Sequence, residues 1–455
     1  MTLEPLETSM TVGRVAIAAS ALSHSLFATF IVGSSLIGAI TATCSYVTGK
    51  EWFSRLAKLI AFTLVLSTAT ISFLGVLLVF FLNMYWPQFW HRIFHVMFWP
   101  FIGEAALFLG EAIFAYAWYY LWEWGQHGWR QKMHLAFIWI AAGCALAAMF
   151  LIDITASYML TPYPVHAAWE NIFNPTMIHL DLHRWFGNLA WAGFALAAIC
   201  AMRYLKADNG KDQRFFQQGT AFCFVIGYGA LLIMPAVGYQ YLLHLRYGQP
   251  QAFYTVMLGE RSWLFDLVGL LYGLMILLGS LYVNRMMQAQ QQYSSIYSGF
   301  FPFSFGIILL AVVVLGMPYH VQHVPGLNRF LDQEINPLGK MQPYKYFALS
   351  ALVVFGFVNW LYAFRAFWKR RAHPLPAGWT KAHRAMASTA ITLAGLTIIM
   401  LLAMGWVRES ARAVNGYLIY DVMRLKDEDS TYTDTGRTSE LAFPPLETRG
   451  KAVTP

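Results

Sequence analysis

Apolar segments long enough to cross a lipid bilayer recur along the chain, and they limit what it can fold into. A helix rises about 1.5 Å per residue, so about 20 apolar residues cross a hydrocarbon core of about 30 Å. Because lipid offers no partner for free backbone groups, each segment is predicted to be helical. The predicted spans lie near residues 15–45, 57–83, 95–122, 134–160, 182–204, 216–243, 263–284, 300–319, 344–368 and 386–407.

The composition agrees with a membrane protein. Of 455 residues, 58% are hydrophobic and only 12% are charged, against about 25% charged residues in soluble proteins. We therefore predict an all-α, polytopic membrane helix bundle of about ten transmembrane helices over residues 1–412. Residues 413–455 are polar, with the run DEDSTYTDTGRTSE at 427–440. This tail is predicted to be extended or docked on a partner.

Lysine and arginine in the short loops predict the orientation. The loops rich in these residues are the first, third, fifth and ninth, near residues 50–58, 130–132, 206–214 and 369–384. These loops are predicted to be cytoplasmic, which leaves both termini on the periplasmic side of a bacterial inner membrane. The formal charge of +8 is then largely an anchoring signal in contact with the bilayer, and it does not indicate a nucleic-acid partner.

Most histidines fall on the predicted outer side. His24 lies inside the first span, about one-third of the way in from that side. An imidazole inside a membrane must have a polar partner, and two partners are open: haem iron held between helices, or a hydrogen bond to a neighbouring helix. The other outer histidines are His91, His95, His166, His179, His183, His244, His320 and His323.

Charged residues inside spans form a second set. Glu104 and Glu111 are seven residues apart, close to two helical turns, so their carboxyls face the same way. Asp153 lies in the fourth span. A carboxyl at this depth marks a proton or ion path by default, although a structural hydrogen bond to a neighbouring helix remains open. The pair Glu104 and Glu111 is a candidate proton relay.

The last span ends in GWVRESAR at residues 405–412. Glu409 and Arg412 are three residues apart and share a helix face. They are either an interfacial anchor pair, with Trp406 in the aromatic belt, or a carboxylate iron ligand with an arginine for haem propionates.

Five stretches resemble the large, haem-carrying subunit of the cytochrome bd oxidases. In chain order they read ALSHSLFATF around His24, GEAALFLGEAIF with Glu104 and Glu111, SYMLTP at residues 157–162, HRWFGNLAWAGF from His183, and GWVRESAR. The resemblance covers residues 10–245 and, more loosely, 340–412.

The resemblance implies metal-ligand roles that spacing alone does not. It implies that His24, His183 and Glu409 ligate haem iron, with His183 on the low-spin haem. It also implies that Arg412 and Trp406 contact cofactor and that Glu104 and Glu111 deliver protons. Haem b, expected as two copies, is the implied cofactor, and a third haem of type b or d is allowed. A second membrane subunit is the implied partner.

The chain departs from the family pattern in three places. In the ninth span YKYFALS has Lys345 and Phe347 where the family has a methionine ligand, and Met234 and Met275 lie in other spans. The long quinol-oxidising loop after the sixth span is replaced by about 20 residues that lead into two extra spans. The polar tail stands in place of the family's last helix.

These departures lead to a hypothesis of a different electron donor, a periplasmic cytochrome c or other redox subunit, recognised through the tail and MPYHVQHVPG at 317–326.

Three functions stay open. The first is a bd-like terminal oxidase subunit that reduces O2. The second is a non-catalytic cytochrome b-type subunit passing electrons from cytochrome c or quinol. The third is a haem-free transporter, in which the same charges would bind substrate.

Overall fold

The computed structural model describes residues 10–161, 174–257, 259, 261–289, 294–318, 342–369 and 381–412. All regular secondary structure in these residues is helical. We number the α-helices in chain order: α1 Met10–Thr48, α2 Glu51–Tyr85, α3 Pro87–Val96, α4 Phe98–Tyr120, α5 Trp129–Leu160, α6 Met177–Lys206, α7 Gly210–Gly248, α8 Pro250–Met257, α9 Ser262–Ala289, α10 Ser295–Leu315, α11 Pro343–Lys369 and α12 Lys381–Arg412.

The predicted spans are confirmed, since 10 helices of the described chain are long and apolar enough to cross a membrane. Several of these helices extend beyond the predicted span ends. The other two helices, α3 and α8, are short connections. Residues 249–261, between α7 and α9, contain little beyond the eight-residue α8, which confirms that the sixth span is followed by a short loop. The tail and residues 319–341 lie outside the described residues.

Helices α6 and α7 form the closest helix pair in the bundle. Their crossing depends on two glycines, since a β-carbon on Gly193 would lie 2.5 Å from the α-carbon of Gly227. Small residues at a crossing allow membrane helices to approach closely and to gain dispersion energy over a long contact. The pair therefore forms the centre around which the other helices pack.

The remaining helices pack around this pair in two groups. Helices α1, α2, α4 and α5 lie on one side, with α1 and α5 both against α6. Helices α9, α10 and α11 form the other group, and α12 packs against both α9 and α6. Large apolar side chains such as Phe73, Val76 and Trp99 are exposed on the outside, as expected of a surface that faces lipid. Helices α1, α5 and α12, which carry His24, Asp153 and Glu409, all pack against α6.

Candidate functional site

His24 lies at the contact between α1 and α2. Its ring is packed against the position of Gly75, where a β-carbon would lie 3.2 Å from Cε1. Nδ1 is buried and has no hydrogen-bond partner among the described residues. Close packing against α2 thus holds the ring, and one buried ring nitrogen keeps its capacity for a further partner.

His183 occupies a similar position between α6 and α7. A β-carbon on Gly238 would lie 3.6 Å from both Cε1 and Nδ1 of the ring, and the ring of Tyr241 lies 5.9 Å away between centroids. Its Nδ1 is also buried without a partner among the described residues. The two predicted histidine ligands therefore share a property: a buried nitrogen with an unused hydrogen-bonding capacity.

Arg184 connects the surroundings of these two histidines. It lies within electrostatic range of His24 and of His183, and its guanidinium forms an ion pair with Asp153 of α5. Asp153 is 0% exposed, and its second oxygen, Oδ2, has no partner among the described residues. A buried charge of this kind needs an opposite charge close by, so this pair joins α5 to α6 beside the histidines.

Arg408 and Tyr241 extend this cluster toward α12. Arg408 lies within electrostatic range of Asp153, and Tyr241 lies within range of Arg408, Arg412 and Asp153. Sequence reasoning did not select Arg184 or Tyr241. Arg184 directly follows His183 in HRWFGN, and an arginine inside an apolar span is itself a signal of function.

Glu409 and Arg412 form a buried pair on α12. Oε2 of Glu409 accepts hydrogen bonds from Nε of Arg412 at 2.9 Å and from a terminal nitrogen at 2.5 Å. Glu409 is 5% exposed and Arg412 is 1% exposed. The bundle therefore encloses both side chains, which favours a role inside the protein over the alternative of an interfacial anchor pair. The shared helix face that was predicted from the spacing is confirmed.

Trp406 is the member of GWVRESAR that lies on the outside. It is 47% exposed, which suits a residue of the aromatic belt. Its predicted role in cofactor binding stays a prediction without structural support.

Of the outer histidines, His179 and His244 stack with ring centroids 3.5 Å apart. His166, His320 and His323 lie outside the described residues.

The two glutamates of α4 differ in their surroundings. Glu111 is 3% exposed, and its Oε1 has no partner among the described residues. It lies within electrostatic range of Glu104 and of Cys144 on α5. Glu104 is only partly buried. The two carboxyls therefore lie close enough to interact, as the seven-residue spacing predicted, and the deeper one has capacity for a further polar partner.

The place of the missing methionine is occupied by an ion pair. Lys345 of α11 is buried and bonds to Asp266 of α9, while Phe347 points outward and is exposed. The thioether of Met234 packs against α6 at Gly187, where a β-carbon would lie 3.8 Å from the sulfur. Met275, on α9, is buried in the core of the bundle. Of the two methionines, Met234 is the one that contacts the helix of His183, one turn further along.

The donor set fits haem. Porphyrin iron takes imidazole nitrogen and, less commonly, other side-chain ligands, and the site offers two buried imidazoles, each with an unpartnered nitrogen. Arginines suited to propionates lie beside them. Among the described residues no group of three or more His, Cys, Asp or Glu side chains is arranged to hold a bare metal ion.

Comparison with known proteins agrees with this arrangement. The family model described as cytochrome bd terminal oxidase subunit I matches residues 12–258, more than half of the chain. The chain belongs to this family. The matched region contains His24, Glu104, Glu111 and His183, whereas Glu409 and Arg412 lie beyond it. Membership and the ten apolar helices make this a multi-pass protein of the bacterial inner membrane.

Two individual proteins are similar to this chain. Cytochrome bd ubiquinol oxidase subunit 1 of Bacillus subtilis (strain 168) is 25% identical over 253 residues, which is 53% of this chain and 53% of that protein. The chain thus matches about half the length of this curated relative. The solved bd oxidase from Geobacillus thermodenitrificans is 16% identical over 88% of this chain and 97% of that chain, with a TM-score of 0.49.

Proposed function

We propose that this chain is the haem-carrying membrane subunit of a bd-type respiratory oxidase that reduces O2. The observation that carries the proposal concerns two histidines of a family member, His24 and His183. Each keeps a buried ring nitrogen without a partner in the part of the chain that the structure describes, and both lie under the electrostatic influence of one arginine, Arg184. Unsatisfied buried polar groups are rare in native proteins and call for an explanation.

In this proposal the chain's own residues have separate tasks. His183 and His24 supply imidazole ligands, and Glu409 supplies a carboxylate. Arg412 holds Glu409 in place through the two hydrogen bonds described above. Haem, when bound, supplies the electron transfer and oxygen chemistry, while the protein provides ligands and a dry pocket. The expected complement is two haems b, with a third of type b or d allowed.

Arg184 has a positioning role in the same proposal. Its ion pair with Asp153 holds a positive charge beside both histidines, where it can balance the negative charge of propionates. Asp153 is fully buried, so its carboxylate holds the guanidinium of Arg184, which is 19% exposed, from inside the bundle. Arg184 is thus a positioning residue, acting on groups held by its neighbours.

Proton delivery is assigned to the α4 carboxyls. Reduction of oxygen consumes protons, and a carboxyl buried in a membrane helix marks such a path by default. Glu111, whose Oε1 has no partner among the described residues, would pass protons from deeper in the membrane to partly buried Glu104, toward the haem ligands near the predicted periplasmic face. Electron transfer alone requires no such pair, so these carboxyls favour an oxidase.

The electron donor and the partners follow from the departures in sequence. The curated relative is named a ubiquinol oxidase, but here only α8 and its short flanks connect α7 to α9. We therefore propose a periplasmic cytochrome c or another redox subunit as donor, with quinol as the alternative, and a second membrane subunit as permanent partner. Deletion of residues 413–455 should reduce recovery of the redox partner in a pull-down, and unchanged recovery would exclude the tail as its docking segment.

A second candidate function is a non-catalytic, cytochrome b-type electron-transfer subunit of a larger respiratory complex. The observation that favours it is the buried Lys345–Asp266 pair at the place of the family's methionine ligand, because an altered low-spin site changes how electrons enter. Haem-free transport is a weaker alternative, since it gives no reason for histidines with unused ring nitrogens.

Spectra of the purified protein distinguish these functions. The oxidase proposal predicts haem in the pyridine extract and a reduced-minus-oxidised difference spectrum that changes with carbon monoxide. Haem that does not respond to carbon monoxide would support the electron-transfer subunit instead. A colourless protein after expression with adequate haem supply would contradict both.

A further inference from the structure

A cavity of about 520 Å³ opens between the first turns of α2 and α7. Both helix ends belong to loops that are predicted to be cytoplasmic. We propose that this cavity binds the phosphate headgroup of an anionic phospholipid. The inference is independent of the proposed oxidase function, because none of the lining residues belongs to the haem or proton-transfer site.

The charge of the cavity suits a phosphate. Arg55, Lys211 and Arg214 line it, against one lining carboxylate, Glu51. Arg55 also forms an ion pair of 2.8 Å with Asp212, which orients its guanidinium and leaves further N–H groups for a ligand. Lys211 and Arg214 form no ion pair with any residue that the structure describes. Two cations are therefore available to an anion from outside the protein.

The backbone at the start of α7 adds to this preference. Gly210, the first residue of a helix of 39 residues, lines the cavity. The first turn of a helix carries N–H groups without intrahelical partners and a partial positive charge, which together favour phosphate. Asn209 caps this turn by accepting a hydrogen bond from the Asp212 amide at 2.8 Å, so the helix end is held in a defined position.

Aromatic side chains form the apolar part of the wall. Phe215 lies beneath Arg55, whose guanidinium carbon is 4.2 Å from the ring centroid. The ring of Trp52 stacks on that of Phe53, with 3.8 Å between the ring centroids. It also lies edge-to-face with the ring of Phe367 on α11, with 6.1 Å between the centroids. A free phosphate would use only the cations, whereas a phospholipid also buries the first part of its acyl chains. Basic pockets between helices on the cytoplasmic side bind such headgroups.

Lipid binding to the purified full-length protein, with any subunits that copurify, tests the proposal. Native mass spectrometry would compare phosphatidylglycerol with phosphatidylcholine of the same chains, and inorganic phosphate would be added as a competitor. We expect tighter binding of phosphatidylglycerol. In the variant Lys211→Gln/Arg214→Gln we expect its affinity to fall on the order of 25-fold, about fivefold for each charge removed. The matched control, Arg130→Gln/Lys132→Gln, removes the same charge from the first turn of α5, another helix end on the predicted cytoplasmic side. This variant should bind as the native protein does.

Three results would overturn the proposal. Equal affinity for phosphatidylglycerol and phosphatidylcholine would show that the headgroup charge does not determine binding. An equal loss of phosphatidylglycerol affinity in the control variant would show a general effect of surface charge. Displacement by millimolar inorganic phosphate in the absence of any lipid preference would show that the site takes free phosphate instead. If the double variant fails to fold, Arg214→Gln alone changes an exposed residue and should still weaken phosphatidylglycerol about fivefold.

Discussion

Asp153→Asn is expected to destabilise the protein markedly, because it leaves the positive charge of Arg184 inside the bundle without its partner. Asp153 is 0% exposed at its side chain and Arg184 is 19% exposed. Loss of one member of a buried ion pair costs about 3–5 kcal/mol. Because asparagine keeps one oxygen as acceptor, and because part of Arg184 reaches the surface, we expect a loss near 3 kcal/mol in the free energy of unfolding.

A surface pair provides the matched control. Arg55 and Asp212 form the same kind of ion pair at 2.8 Å, but their side chains are 36% and 37% exposed. Exposed pairs contribute little to stability because solvent screens them, so Asp212→Asn should lower the free energy of unfolding clearly less than Asp153→Asn does. Both variants would be measured by equilibrium unfolding in mixed detergent micelles, followed by circular dichroism.

A double variant decides whether the pair itself is responsible. Asp153→Asn/Arg184→Gln removes both charges, so no unpaired charge stays inside the bundle. Its loss in the free energy of unfolding should therefore be smaller, by about 1–3 kcal/mol, than the sum of the losses in the two single variants. If the single losses simply add, or if Asp153→Asn costs no more than Asp212→Asn, the ion pair does not hold α5 to α6 and the reasoning is refuted.

Three further predictions concern packing, proton transfer and cofactor. Gly33→Ala should destabilise the fold by at least about 1–3 kcal/mol, since its β-carbon would lie 2.2 Å from the Asn188 carbonyl oxygen; an unchanged unfolding midpoint would contradict the described contact of α1 with α6. Glu111→Gln should lower the rate of O2 reduction, measured with an oxygen electrode, by about 100-fold or more and leave the haem spectrum unchanged. Glu104→Gln should lower the same rate less, because Glu104 is only partly buried. A larger loss in Glu104→Gln than in Glu111→Gln would contradict the relay. His183→Ala should abolish the low-spin signal in reduced-minus-oxidised spectra, and a retained signal would remove His183 as a ligand.

The span pattern could be predicted from sequence because bilayer thickness sets a minimum apolar length that no other fold of this size requires. Connections were harder. Helix α3, PQFWHRIFHV, is ten residues long with aromatic and charged residues together. Such a segment is too short for the span criterion, and most of it lay between the second and third predicted spans.

The candidate site was partly accessible from sequence. Spacing alone placed Glu409 and Arg412 on one helix face, and the structure has them hydrogen-bonded. Their burial was not predictable, because it depends on whether the end of α12 faces the bundle or the lipid. Trp406 is exposed although it lies only three residues before the buried Glu409. Residues within one turn of α12 thus differ strongly in whether they face the bundle or the outside.

The partner of Asp153 was also beyond sequence reasoning. The acid was recognised as an unusual residue in a span, but its ion pair with Arg184 depends on how α5 and α6 pack. The same holds for Lys345, which was noted only as a departure from the family pattern and which pairs with Asp266 across α9 and α11. Contacts between helices distant in sequence are set by packing, which periodicity does not encode.

The central claim is that His24, His183 and Glu409 hold haem iron near the predicted periplasmic face. An experimental density map of the purified, pigmented protein tests it most directly. The account predicts continuous density from each of these side chains to the iron of a porphyrin, with Arg184 beside a propionate. Density in which all three side chains contact only protein or lipid would contradict it.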